Sequence, residues 1–107
     1  MEVFDTIDFS LGADGYRNVM ASEVNDHVVR VSVMTEAYFW HYHPGSDETF
    51  ICLEGVLLID MPNKMVRLQP GQLFTVLAGQ HHCTRPEGGR SVNITIERRD
   101  IQTVKIF

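Results

Sequence analysis

Apolar and β-branched residues recur along this chain in short runs, not in stripes of helical period. Runs rich in Val, Ile, Phe, Tyr and Thr fall at His27–Met34, Ala37–His43, Glu48–Leu53, Val56–Met61, Met65–Gln69, Leu73–Leu77 and Val92–Glu97. Turn formers stand between them: Asn25-Asp26, Pro44-Gly45, Glu54-Gly55, Pro62-Asn63, Pro70-Gly71, Gly79 and Gly88-Gly89. Each run bounded in this way predicts a strand. From about Tyr16 onward no segment of helical period is long enough to stand alone. The pattern therefore predicts an all-β domain, an antiparallel sandwich or barrel. The first dozen residues fit either a strand or one helical turn. No internal repeat, low-complexity tract or linker divides the chain.

Composition narrows the class. The 107 residues suit one domain, 1–107, rather than two. A chain of this size buries roughly 65% of its unfolded surface, enough for a core without staples. Apolar residues at 44% and charged residues at 21% exclude a disordered or collagen-like chain. Nine Lys and Arg against 14 Asp and Glu give a net charge of −5, which argues against nucleic acid as a partner. No apolar stretch has the length of a membrane span. The acidic opening MEVFDTIDFSLGADG lacks the basic and apolar regions of a signal peptide, so the expectation is a soluble, cytoplasmic protein without a membrane partner. Cys52 and Cys83 are too few for a disulfide framework and are expected as reduced thiols. Acids crowd the first 15 residues and bases the stretch 85–107, a distribution expected from solvated faces or from a terminus laid against the last strands.

Candidate chemistry gathers in Trp40-His41-Tyr42-His43-Pro44-Gly45-Ser46-Asp47-Glu48. Residues i and i+2 of a strand share a face, so His41 and His43 project together and can converge on one ion. Strict alternation would send Glu48 to the other face. Pro44 and Gly45 break the strand and reset the phase, which lets Glu48 rejoin the histidines with Phe50 and Cys52 on its face. Asp47, Thr49 and Ile51 then point away. A fourth ligand could come from His81-His82, whose rings point to opposite faces, and periodicity does not choose between them. Imidazoles with a carboxylate suit a divalent transition metal.

These residues resemble the cupin superfamily, and most closely its small single-domain bacterial members. The family's first motif, G-x5-H-x-H-x4-E-x6-G, is matched by His41, His43, Glu48 and Gly55. Its second, G-x5-P-x-G-x2-H-x3-N, is matched by Gly71, Gly79 and His82, with 15 residues between Gly55 and Gly71. Thr35, Leu77 and Pro86 stand where the family has Gly, Pro and Asn, all at turn or supporting positions. The motifs cover about 35–55 and 71–86. The resemblance implies a double-stranded β-helix, a jelly-roll barrel of two antiparallel sheets. It also implies one divalent transition metal per chain (Zn, Mn, Fe, Ni, Co or Cu) held by His41, His43, Glu48 and His82, and a homodimer.

Three neutral imidazoles and one carboxylate leave a divalent ion with a net positive charge and an open coordination position, which attracts a small anionic organic ligand. Alternation places Phe39 beside His41, Phe50 and Cys52 beside Glu48, and Thr84 beside His82, so a mainly apolar pocket lining is expected. With no second carboxylate, Lys or free His plainly aimed at the metal, dioxygenase-like or other metal-centred chemistry ranks above a sugar-phosphate isomerase or epimerase, which needs a positioned base. The alternatives are a non-catalytic binding or sensing module and a purely structural ion. Cys52 is expected as a buried filler and Cys83 on the opposite face, which argues against a bridge between them. His27 and His81 are expected at the surface. Trp40 and Tyr42 are expected on the outer face, covered by a dimer contact or by packing between sheets.

Overall fold

Asn25 and Asp26 close a two-residue turn in which Val24 pairs with His27. Asn25 adopts φ +53°, a left-handed conformation that asparagine tolerates well. The turn joins β1 (Arg17–Val24) to β2 (His27–Met34). In the computed structural model, which describes residues 2–106, the remaining elements are α1 (Thr6–Leu11), β3 (His41–Tyr42), β4 (Glu48–Glu54), β5 (Leu57–Met61), β6 (Lys64–Leu68), β7 (Leu73–Val76), β8 (Cys83–Pro86), β9 (Ser91–Arg98) and β10 (Val104–Lys105). No helix among the described residues is long and apolar enough to cross a membrane.

Two antiparallel sheets face each other, the arrangement of an all-β double-stranded β-helix. One has five strands in the order β1-β2-β9-β4-β7. The other begins as β6-β5-β8 and continues through a bridge between His82 and His41 into the β3-β10 pair. Met34, Phe50, Cys52, Leu57, Ile59, Leu68 and Val76 interlock between the sheets as the main core. A second apolar cluster lies outside the five-stranded sheet, where Phe4, Phe9 and Ala13 cover Val31, Val33 and Val92. The opening segment resolves as the helical turn α1, capped by Asp5, whose carboxylate accepts from the Asp8 N–H at 2.9 Å.

Two expected features change. The run Ala37–His43 contributes strand only at His41–Tyr42. The Phe39 carbonyl accepts from the His41 ring at 2.7 Å, so a side chain competes for a backbone group that a ladder would use. Strands β1, β8 and β10 lie outside the expected runs, and β1 carries a register shift between Met20 and Ser22, a bulge that spoils the alternation by which a strand is recognised.

Candidate metal centre

Four side chains from three parts of the chain meet at one end of the barrel. His41 comes from β3, His43 follows it, Glu48 opens β4, and His82 immediately precedes β8. All four are buried, and their ligand atoms lie within 4.8 Å of one another. The phase reset at Pro44-Gly45 occurs as expected: Glu48, Phe50 and Cys52 are buried, while Thr49 and Ile51 are half-buried. The intervening loop is clamped. Gly79 N–H donates to the His43 carbonyl at 2.9 Å, Ala78 N–H to the Asp47 carboxylate at 2.8 Å, and Arg98 N–H to Ser46 Oγ at 3.1 Å.

The histidines are fixed in one tautomer. Nδ1–H of His41 donates to the Phe39 carbonyl at 2.7 Å, that of His43 to Gln102 at 2.9 Å, and that of His82 to Gln80 at 3.0 Å. Each Nε2 is left with its lone pair for a metal. Nε2 of His43 and Oε1 of Glu48 are 3.1 Å apart, and Nε2 of His82 is 3.5 Å from the same oxygen. All three atoms are buried without a hydrogen-bond partner. Buried polar atoms are rarely left so, and a cation at their centre satisfies all three at once. The donor set therefore fits a divalent transition metal.

Electrostatics agree. Burial lowers His41 to about 4, the pull of the Phe39 carbonyl notwithstanding, so its lone pair is free at neutral pH. Burial also works against a charged His43, but the Glu48 carboxylate and the Gln102 carbonyl outweigh it and raise this imidazole above its ordinary value. Burial would raise Glu48, yet His43 and His82 beside it hold the carboxyl at about 2. Glu48 is thus a buried anion, a charge that a cation at the centre would neutralise.

A cavity of about 490 Å³ opens onto His41, His43 and Glu48. Phe50 and Thr84 line it. Phe39 does not: it is 39% exposed, while the neighbouring Tyr38 turns into the cavity because the 37–40 segment does not follow strand alternation. Cys52 does not either. It is fully buried in the core below, its thiol donating to the Glu54 and Gly55 carbonyls. His82 is fully buried behind the cavity wall, and His81 is exposed and stacked on half-buried Tyr42 at 5.1 Å. Trp40 is 38% exposed.

The expectation of a mainly apolar lining without a second carboxylate is overturned. Glu97, Thr95, Arg30, Ser32 and Asn18 all face the cavity from the five-stranded sheet. The cause lies on the other side of that sheet. Val92 and Ile94 are taken up by the outer cluster beneath α1, which turns Asn93, Thr95 and Glu97 inward. Burial, and next the nearby Glu48 charge, push the Glu97 carboxyl up to about 7. A titratable polar residue on the less apolar face of a strand run was the available signal.

The fold and this centre define a barrel of the jelly-roll class with a His-His-Glu-His group at one end. The Cupin domain family matches residues 27–96, and the chain belongs to that family. It is 45% identical over 92 residues to "Uncharacterized protein YdbB" of Bacillus subtilis (strain 168), covering 85% of this chain and 80% of that protein. Among solved structures it resembles a cupin-2 domain containing protein from Shewanella frigidimarina, with a TM-score of 0.83, 28% identity, and 91% and 95% of the two chains covered. A Klebsiella pneumoniae protein with a double-stranded β-helix domain superposes with a TM-score of 0.81 at 16% identity, covering 100% and 98%.

Proposed function

We propose that the chain binds a small anionic organic molecule at a divalent transition metal held by His41, His43, Glu48 and His82, and that it carries out metal-centred chemistry on it. The observation that carries this reading is the trio of buried, unpartnered donor atoms, His43 Nε2, Glu48 Oε1 and His82 Nε2, with each ring's Nδ1–H directed to a backbone carbonyl. A bound ion would supply Lewis-acid polarisation of an oxygen ligand and, for a redox metal, access to dioxygen. The protein's own contribution is to orient the molecule in the cavity and to move a proton. Glu97 faces the cavity beside Glu48, its partner across the β4–β9 ladder. It supplies the positioned base whose expected absence had favoured oxygen chemistry over isomerisation. That observation favours, as a second reading, proton transfer next to a metal-bound oxygen, the isomerase- or epimerase-like alternative. A homodimer, as the family resemblance implies, would give the exposed Trp40 a surface to cover it, and light scattering tests it.

The metal reading is tested by stripping the protein with chelator and returning Mn, Fe, Co, Ni, Cu or Zn, followed by elemental analysis. We expect a single ion per chain for at least one metal, and loss of that ion in Glu48→Ala. A wild type that retains no stoichiometric metal from the series overturns the reading. Turnover that follows one reconstituted metal separates an enzyme from a binding module.

A further inference from the structure

Arg30 differs from the paired arginines around it. Arg67 grips Glu87 with two bonds of 2.8 and 2.9 Å, and Arg85 grips Asp60 with bonds of 2.7 and 3.2 Å. Arg90, Arg98 and Arg99 each reach a carboxylate at 2.9 to 3.0 Å. Arg30 makes only long contacts, 3.5 Å from Nε to Glu97 Oε1 and 3.4 Å from Nη1 to Asn18 Oδ1. Its guanidinium, with five donors, is far from saturated, and the side chain, 38% exposed, lines the open cavity. Arg30 also lies outside both histidine motifs.

The register places it relative to the metal centre. Arg30 pairs with Thr95, Thr95 pairs with Phe50, and Glu48 shares the Phe50 face of β4 one pair further along. Arg30 is thus rooted about 10 Å, two strand spacings, from the strand that carries Glu48. Its side chain shortens that gap to the length of a small molecule. Glu97 lies between them on β9 and approaches Arg30 only at Nε, 3.5 Å from Oε1, which leaves the outer guanidinium nitrogens for a ligand. Tyr16, Asn18, Ser32 and Thr95 supply hydroxyl and amide groups along the same wall.

Resting on the metal reading above, we infer that Arg30 is a second anchor and that the ligand class is a short organic diacid. One carboxylate end meets the open position at the metal centre, and the other is held by the Arg30 guanidinium. A planar fork is the right partner for a carboxylate, and two positive poles at opposite ends of one cavity select molecules with two negative ends.

The test is calorimetric titration of the Zn-loaded and the metal-free protein with oxalate, succinate, glutarate and butyrate, using wild type, Arg30→Gln and Arg30→Lys. Loaded wild type is expected to bind succinate or glutarate at least tenfold more tightly than butyrate, and more tightly than oxalate, which is too short to reach both poles. Arg30→Gln is expected to keep full zinc stoichiometry and melting temperature while losing that preference, and Arg30→Lys to recover part of it. A loaded wild type that does not distinguish succinate and glutarate from butyrate overturns the inference, as does an Arg30→Gln variant that distinguishes them as wild type does. If wild type takes up no zinc yet binds a diacid through Arg30, the metal reading fails and the Arg30 anchor stands.

Discussion

Glu97 and Glu48 face each other across one ladder and experience opposite electrostatics. Glu48 is held at about 2 by the histidines beside it, whereas Glu97 is raised from 4.5 to about 7 by burial and by the Glu48 charge. For Glu97 the folded state binds the proton more tightly than the unfolded chain, so its contribution favours folding below about pH 4.5 and is lost as pH rises toward 7. The loss amounts to up to about 3 kcal/mol. Denaturant unfolding of the metal-free protein at pH 5 and pH 8 should show this decline in wild type, and Glu97→Gln should flatten it. An unchanged decline in the variant would assign the pH dependence elsewhere. Glu48 has the reverse sign: its contribution is present above about 4.5 and lost as pH falls toward 2. At the level of single residues the sequence was informative about the His-His-Glu-His group and poor about the groups around it. His41, His43 and Glu48 lie within one short stretch, so strand period and a Pro-Gly break suffice to bring them together. Arg30 and Glu97 reach the cavity from two other strands, and local alternation separates their two faces without saying which is inward.

Elements fix these faces. β4 and β9 are paired along most of their length, and β4 ends at a register shift between Cys52 and Glu54. Gly55 follows at φ +72°, and the Arg90 carbonyl occupies the space a β-carbon would need. Glycine is required there on two counts, the left-handed backbone and the close approach. Gly55→Ala should therefore cost at least 1 to 3 kcal/mol, roughly, measured by chemical denaturation. Because Gly55 is at the far end of β4 from Glu48, metal stoichiometry of the folded fraction should be unchanged. Strand existence was readable for β2, β4, β5, β6, β7 and β9, where apolar runs and turn residues agree. It was not readable for β1, which is bulged and largely exposed, or for the short β8 and β10, and β3 is shorter than its predicted run because the His41 ring takes a backbone carbonyl from the ladder. α1 was ambiguous because six residues carry too little periodicity, and its packing on Val31, Val33 and Val92 decides it.

Across the whole molecule, a metal held by the His-His-Glu-His group would also be a structural staple. Its ligands join β3 and β8 of one sheet to β4 of the other, so an ion there ties the two halves of the barrel together. A metal that binds only the folded chain stabilises it by about 2.7 kcal/mol at a hundred times its dissociation constant. For a domain of this size that is a rise of about 10 to 20 °C in melting temperature. Scanning calorimetry of stripped and reloaded protein checks it, and Glu48→Ala should abolish the rise. The net charge of −5 is compatible with an anionic ligand because a bound cation would add positive charge in the cavity that Arg30 lines, while most other arginines are paired with surface carboxylates.

The sequence alone determined the strand-and-turn rhythm, the all-β class and the shared face of His41, His43 and Glu48, because strand alternation and Pro-Gly turns are local geometry. The tertiary structure decided which of the two adjacent histidines turns inward, by pairing His82 with His41 across the sheet. It also decided that the polar face of β9 lines the cavity, because α1 supplies an apolar partner on the opposite side. A strand has two faces, and which one becomes the interior depends on what packs against each, which is a property of distant segments brought together.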